Sequence, residues 1–201
     1  MTARPTILVI DDDPAMRDSL TFLLEVNGFA VAAYESAIEF LDHFADGQSS
    51  CIISDIRMPG MTGLELVRKL NSDHASSPVI LMTGHGDVAL AVEAMKAGAA
   101  DFIEKPFDDE VLLRAIRDAL ESPPKVTDNS VKLQAEARLA DLSPRERDVL
   151  QGLLTGKINK VIAHELGISP RTVEVYRANL MAKTNARNMS ELMRVAIAAG
   201  L

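Results

Sequence analysis

The sequence has a single cysteine, no tryptophan and only two tyrosines among its 201 residues. One thiol cannot close an intramolecular disulfide, which excludes a cross-linked scaffold. Cys51 lies in the apolar stretch CII with no base beside it, so it reads as a small core residue and not a nucleophile. The four histidines, His43, His74, His85 and His164, show no metal-ligand spacing, and His85 between two glycines reads as a loop residue. No apolar run approaches the ~18 residues of a membrane span, and MTARPTILVI carries too short an apolar stretch for a secretory signal. A globular, cytoplasmic protein is the expectation, with enough hydrophobic content (47%) to fill one large core or two small ones.

Positive charge is scarce in the first part of the chain. Residues 1–121 hold 9 Lys and Arg against 21 Asp and Glu, a net charge of −12, whereas residues 122–201 hold 12 against 8, a net of +4. The change of sign points to different partners: small cations or phosphate chemistry for the first part, a polyanion for the second. It coincides with ESPPKVTDNS, residues 121–130, where two adjacent prolines stop a helix and start an exposed connection. VKLQAEARLADL then reads helical, but Val131, Leu133, Leu139 and Leu142 are too sparse to define a core face, as in a linker helix.

In the first part, strand-like runs at 6–10, 30–34, 51–54, 79–82 and 101–104 alternate with helical patterns. Asp13-Pro14 opens one helix and Asn27-Gly28 closes it; Ser36 to Glu39 has the form of a capping box. Further helices are expected over 63–70, 87–97 and 109–120. Five strand–helix repeats with nearly continuous apolar strands imply an α/β, doubly wound, five-stranded parallel sheet with helices on both faces. Working sites in such folds lie at the carboxyl ends of the strands.

That rule gathers Asp11 and Asp12 after the first strand, Asp55 after the third, Thr83 after the fourth and Lys105 after the fifth. Neighbouring carboxylates repel, and a hard divalent cation with oxygen ligands relieves them. Mg2+ takes one or two protein carboxylates and leaves room for a phosphoryl group. A carboxylate can itself be the nucleophile of phosphoryl transfer, with Thr83 bonding a phosphoryl oxygen and Lys105 supplying positive charge. Asp13 is better explained as the N-cap before Pro14.

IDDD, DIRMPGMTG and MTGHGDVALAVEAMKAGAADFIEKPF, at their spacing, resemble the flavodoxin-like receiver domain of two-component response regulators over about 120 residues. The resemblance implies that Asp55 is the phosphoacceptor. It implies that Asp12, Asp55 and the Arg57 backbone carbonyl hold Mg2+ (or Mn2+), with Asp11 acting through water. Thr83 and Phe102 then form the switch pair, and the Lys105–Pro106 bond is expected to be cis. Phosphorylation by a sensor histidine kinase is expected to turn Phe102 inward and remodel the surface that forms the active dimer. Val88, Ala91, Val92, Met95, Lys96 and Glu104 are the residues expected there, although an apolar stripe of this kind also fits simple core packing.

The second part breaks into four short helices. Ser143-Pro144-Arg145-Glu146 is a capping box with Pro at the first helical position, and Gly156 ends that helix. Residues 159–166 form the next, stopped by Gly167; Ser169-Pro170 opens a third that runs to about 183; residues 189–199 form the last. Two helices joined by GIS make a helix-turn-helix, whose second helix enters the DNA major groove. With Val173, Tyr176 or Arg177, and Leu180 inward, Arg171, Thr172, Glu174, Val175 and Ala178 face outward. Glu accepts from a cytosine amino group, and Val or Thr can touch a thymine methyl. Lys160, Arg177, Lys183 and Arg187 suit phosphates.

LSPRERDVL, NKVIAHELGIS and RTVEVYRANLMAK resemble the LuxR-type, or NarL/FixJ-type, effector domain over about 60 residues. Glu174 stands where many relatives carry a basic residue, which implies a different base preference, and Thr184 replaces a large apolar residue, which implies a looser seat for the last helix. FixJ-type members switch on genes for low-oxygen respiration or nitrogen fixation when phosphorylated by a haem-containing sensor kinase. The resemblance also implies promoter DNA and RNA polymerase as partners, and a homodimer formed on phosphorylation from a monomer. The expected organisation is a receiver domain at 1–121, a partly helical linker at 122–140 and an all-α four-helix DNA-binding domain at 141–201.

Two other readings use the same residues. Hydrolases of the haloacid dehalogenase type, which form an aspartyl phosphate with Mg2+, also place Asp-x-Asp after a first strand. There Asp11 would be the nucleophile, Asp55 would have no role, and Pro14 stands where a small turn residue is expected. An interaction protein that passes a phosphoryl group onward or only docks a kinase would not bind DNA. The receiver reading makes the protein a phosphoacceptor in its own phosphoryl transfer, not a turnover enzyme.

Overall fold

The computed structural model describes residues 4–44, 50–84, 88–121 and 129–201. By their contacts these divide into two compact units, one of residues up to 84 with 97–121, the other of 88–96 with 129–201. The expected loop at His85, the start of a helix at Asp87 and the connection at 122–128 lie outside the described residues.

The first unit is built on β1 (Thr6–Ile10), β2 (Ala30–Tyr34), β3 (Ser50–Asp55), β4 (Val79–Thr83) and β5 (Asp101–Glu104). All pair in parallel, in the order β2-β1-β3-β4-β5. The expected strands therefore stand, with β3 and β4 each reaching one residue further, to Asp55 and Thr83. Side chains alternate between the faces of a strand. Ile7, Val9, Ile53, Ile80, Met82 and Ile103 join Leu20 and Leu24 of α1 (Pro14–Val26) and Leu112 and Ile116 of α5 (Asp109–Glu121) in one core. Residues of the other parity, Ile10, Ile52 and Leu81, are also fully buried, as a sheet covered on both faces requires. Burying each such side chain contributes about 2 kcal/mol. Cys51 belongs to the core, and its burial, with the Asp101 charge adding to it, pushes the thiol pKa up to about 12.

Helix starts follow their caps. The Asp13 carboxylate accepts from the Ala15 N–H (2.9 Å) with Pro14 following, so Asp13 caps α1 as its neighbours predict. At α2 (Ala37–His43) only half of the expected box forms: Ser36 accepts from the Glu39 N–H, but the Glu39 carboxylate reaches the N–H of Glu35 and not of Ser36. A full box opens α3 (Gly63–Ser72), between Thr62 and Glu65. The peptide between Lys105 and Pro106 is cis, as expected.

In the second unit, α6 (Asn129–Leu139), α7 (Pro144–Leu154), α8 (Asn159–Leu166), α9 (Pro170–Thr184) and α10 (Met189–Ala198) surround a core that includes Leu150, Leu153, Ile162, Val173, Leu180 and Leu192. Ser143 and Glu146 complete the box at α7. Gly167, at φ 66°, takes the left-handed conformation that ends α8 and allows the tight turn into α9, which Ser169 caps. The residues read as a linker helix do not stand apart: α6 packs against both α9 and α10. α4 (Val88–Ala97) follows β4 in the chain and buries Val92, Ala94 and Met95.

Candidate functional site

The strand order reverses direction between β1 and β3, and a parallel sheet opens a crevice at the carboxyl ends of such a pair. β1 delivers Asp11 to that crevice and β3 delivers Asp55. Lys105, just past β5, reaches both: its Nζ lies 2.5 Å from Asp55 Oδ1 and 3.0 Å from Asp11 Oδ2. Asp11 is buried, and its other oxygen accepts the Asp13 N–H at 2.9 Å. The second oxygen of Asp55 accepts the Arg57 N–H at 2.6 Å. Burial is the strongest single influence on Lys105 and lowers its pKa, but hydrogen bonds and charge from Asp55 and Asp11 outweigh it, so the net direction is up. The lysine is a fixed cation.

Thr83 is buried at the end of β4, its hydroxyl only 3.4 Å from the Gly84 carbonyl, and its own carbonyl accepts the Lys105 N–H at 2.7 Å. Phe102 is half-buried on β5, paired in register with Leu81. Asp12 is exposed, and the carboxylates that Lys105 bonds are those of Asp11 and Asp55. Two carboxylates against one ammonium leave a net negative charge with an exposed third carboxylate adjacent, a donor set suited to a hard dication. Among the described residues no group of three or more His, Cys, Asp or Glu side chains is arranged to hold a metal ion.

Two residues that sequence reasoning did not single out support the site. Arg17, on α1, donates to the Asp11 carbonyl at 2.7 Å and fixes the end of β1. Gly63, the first residue of α3, lies so close to Asp55 that a Cβ there would come within 2.3 Å of the Asp55 carbonyl. A glycine opening a helix, where alanine is the better helix former, was the available signal.

Of the residues expected on the dimer surface, Val92 and Met95 are buried, Lys96 and Glu104 are exposed, and the side chains of Val88 and Ala91 lie outside the described residues.

On α9, Val173, Leu180 and Thr184 are fully buried, and Tyr176 and Arg177 are half-buried, as the inward face predicts. Arg171, Glu174, Val175 and Ala178 are exposed, whereas Thr172 is half-buried and shares the cap with Ser169 through a 2.8 Å hydroxyl contact. Lys160 is exposed on α8. The other basic residues expected on phosphates have protein partners. Arg177 donates to Asn159 Oδ1 at 2.9 Å, Lys183 to buried Glu146 at 2.7 Å, and Arg187 lies 3.6 Å from Glu191. Thr184 finds its partner within α9, donating to the Leu180 carbonyl at 2.7 Å.

The pattern of the response regulator receiver domain matches residues 7–117, and that of bacterial regulatory proteins of the luxR family matches residues 140–196. The chain belongs to the response regulators that join a receiver to a LuxR-type helix-turn-helix domain, and it is a phosphorylation-activated transcription regulator. It is 50% identical to the transcriptional regulatory protein FixJ of Bradyrhizobium diazoefficiens, over 100% of this chain and 98% of that one. It is 54% identical to FixJ of Azorhizobium caulinodans (96% and 92%) and 42% identical to the response regulator protein TmoT of Ectopseudomonas mendocina (94% and 86%). The crystal structure of full-length FixJ from B. japonicum superposes with a TM-score of 0.52 at 49% identity, covering 99% of this chain and 98% of that one. Among the described residues no helix is long and apolar enough to cross a membrane.

Proposed function

We propose that Asp55 is the phosphoacceptor and that its phosphoryl group controls promoter binding by the helix-turn-helix at 159–184. The observation that carries this reading is Lys105, which holds Asp55 and Asp11 together at the mouth of the sheet, where a phosphoryl group on Asp55 would gain a ready counter-charge. Asp12, Asp55 and the Arg57 carbonyl, with Asp11 through water, are the residues that would hold Mg2+ or Mn2+, which when bound supplies charge neutralisation for the incoming phosphoryl group. The donor set supports this.

The chain's own residues do the rest. Asp55 offers a carboxylate oxygen as nucleophile. Lys105 shifts its hydrogen bond to the new phosphoryl oxygens, and the Thr83 hydroxyl, which makes a long contact to the Gly84 carbonyl, turns toward them. Half-buried Phe102 moves inward in the space released, and the surface around β5 changes with it. Two copies then pair, with Lys96 and Glu104, each exposed, among the residues that would meet the second copy, and two helix-turn-helix units occupy two half-sites.

On α9, Glu174 and Val175 read bases from exposed positions, with Arg171, Thr172 and Ala178 beside them, and Lys160 meets phosphate. Arg177, Lys183 and Arg187 contribute to phosphates only by giving up their protein partners. A sensor histidine kinase of the FixL kind supplies the phosphoryl group, RNA polymerase is the downstream partner, and the protein works in the cytoplasm as a monomer until phosphorylated. The similarity to FixJ supports control of low-oxygen or nitrogen-fixation genes. The functional boundaries follow: a receiver at 1–121, a connection at 122–140 and a DNA-binding domain at 141–201.

The test is Asp55→Asn, incubated with a small phosphodonor and Mg2+ beside the wild type. Wild type should dimerise in sedimentation and gain promoter affinity, and the variant should do neither. Identical dimerisation and binding by both would sink the reading, and turnover of phosphate esters lost on changing Asp11 would favour a hydrolase.

A further inference from the structure

α6 lies outside both family matches, which end at residue 117 and resume at 140, yet it packs against α9 and α10. Polar contacts contribute to this packing beside apolar ones. Leu133 is exposed, and Ala135 and Leu139 are its buried apolar residues among those described. The chief polar fastening is Arg138. Its Nε donates to the Thr184 carbonyl at 2.7 Å, and its Nη2 donates to the Asn185 carbonyl and to Glu191 Oε1, each at 3.0 Å. Thr184 and Asn185 are the last residue and the cap of α9, where helix carbonyls lack amide partners and the helix end is negative. A planar guanidinium satisfies both carbonyls at once, which an ammonium does not do in the same geometry. Glu191, in the first turn of α10, also accepts the Arg187 N–H at 2.9 Å. One side chain thus joins α6, the end of α9 and the start of α10.

We propose that Arg138 is a positioning residue for DNA recognition, setting the tilt of α9 from its far end, so that base reading depends on a helix outside the luxR-family segment. The proposal rests on α9 being the helix that reads DNA. Thr184 and Arg171 are separated by about 20 Å along the helix, and a tilt of about 10° at one end would displace the other by about 3.5 Å. Hydrogen bonds to base edges tolerate about a few tenths of an ångström.

The experiment compares full-length wild type, Arg138→Met and Arg138→Lys, each treated with a phosphodonor and Mg2+. Affinities are measured across a salt series on a DNA fragment selected by the wild type and on a scrambled fragment, with helix content followed by circular dichroism. Arg138→Met should lose about tenfold on the selected fragment, with affinity for the scrambled one and the salt slope unchanged. Arg138→Lys should recover only part of the loss, because one ammonium keeps the Glu191 pair but not both carbonyls. Unchanged selected-site affinity in a folded Arg138→Met protein overturns the proposal. So does a salt slope shallower by about 0.9, which would make Arg138 a phosphate contact. Equal loss on both fragments, in step with lost helix content, assigns it to stability alone and overturns it too. If wild type selects no fragment, the assignment of α9 as the reading helix fails first, and the proposal falls with it.

Discussion

The two units put their cations to opposite uses. In the first, one lysine is drawn to two carboxylates from distant strands, and Asp11, Asp55 and Lys105 meet at an edge of the sheet where a ligand can enter. In the second, cations run between helices: Lys183 to Glu146 joins α9 to α7, Arg177 to Asn159 joins α9 to α8, and Arg138 joins α6 to both α9 and α10. The first arrangement leaves charge unbalanced and poised for a partner. The second consumes charge to hold helices against one another, and it leaves Arg171, Glu174 and Lys160 exposed. A net positive charge on a DNA-binding unit is therefore a poor count of its phosphate contacts, because part of it is structural.

The largest expected effect tests the unbalanced side. Lys105→Met leaves buried Asp11 facing Asp55 with no cation between them, and urea unfolding should show a loss of about 3 kcal/mol in the receiver. Asp55→Asn instead leaves Lys105 on Asp11 and should change the same quantity by less than about 1 kcal/mol. Equal losses would break the view that the cluster carries surplus negative charge. Next comes Gly63→Ala, whose Cβ must displace the Asp55 carbonyl: a cost of about 2 kcal/mol is expected, together with slower phosphoryl incorporation from a small donor. Normal stability and incorporation would show that α3 does not set the position of Asp55.

On the structural side, the Lys183 hydrogen bond, followed by the Ser143 N–H, holds the Glu146 carboxyl below the usual range and outweighs burial. A carboxyl with a depressed folded pKa stabilises above its unfolded value of about 4.3, and that stabilisation is lost as the pH falls through the folded value. Glu146→Gln should cost about 1 kcal/mol at neutral pH. Thermal unfolding from pH 6 down to about pH 3 should then be flatter in the variant. A parallel decline in both proteins would show that the pair does not brace α7 against α9. The smallest effect separates the two kinds of cation. Lys160→Ala should reduce the salt slope of DNA binding by about 0.9 with stability unchanged, whereas Lys183→Ala should leave the slope alone and lower the melting temperature. A reduced slope for Lys183→Ala would mean that it leaves Glu146 for DNA.

The receiver fold was nearly complete in the primary structure. Its strands are short, buried on both faces and bounded by caps, so their ends could be read to within a residue: Asp55 and Thr83 proved to be the last strand residues where Ser54 and Met82 were expected. The identity of Asp11, Asp55, Thr83 and Lys105 as strand-end residues followed from the same periodicity. The half-formed box at Ser36 was less legible, because the pattern does not say which N–H a glutamate will choose. The packing of α6 on α9 and α10 was not legible, since that hold includes a guanidinium on carbonyls, an interaction with no hydrophobic period. The protein partners of Lys183 and Arg177 met the same limit, as they lie 37 and 18 residues away and share no local pattern with them.

Order of elements, the placing of chemistry at strand ends and the turn between α8 and α9 were determined by the sequence, because hydrophobic period, caps and Gly167 act over a few residues. Only the tertiary structure decided that Lys105 spans Asp11 and Asp55, that Gly63 makes room for the Asp55 carbonyl, and that Arg138 closes the end of α9. Each depends on side chains far apart in the chain meeting at hydrogen-bond distance, which local propensity cannot encode.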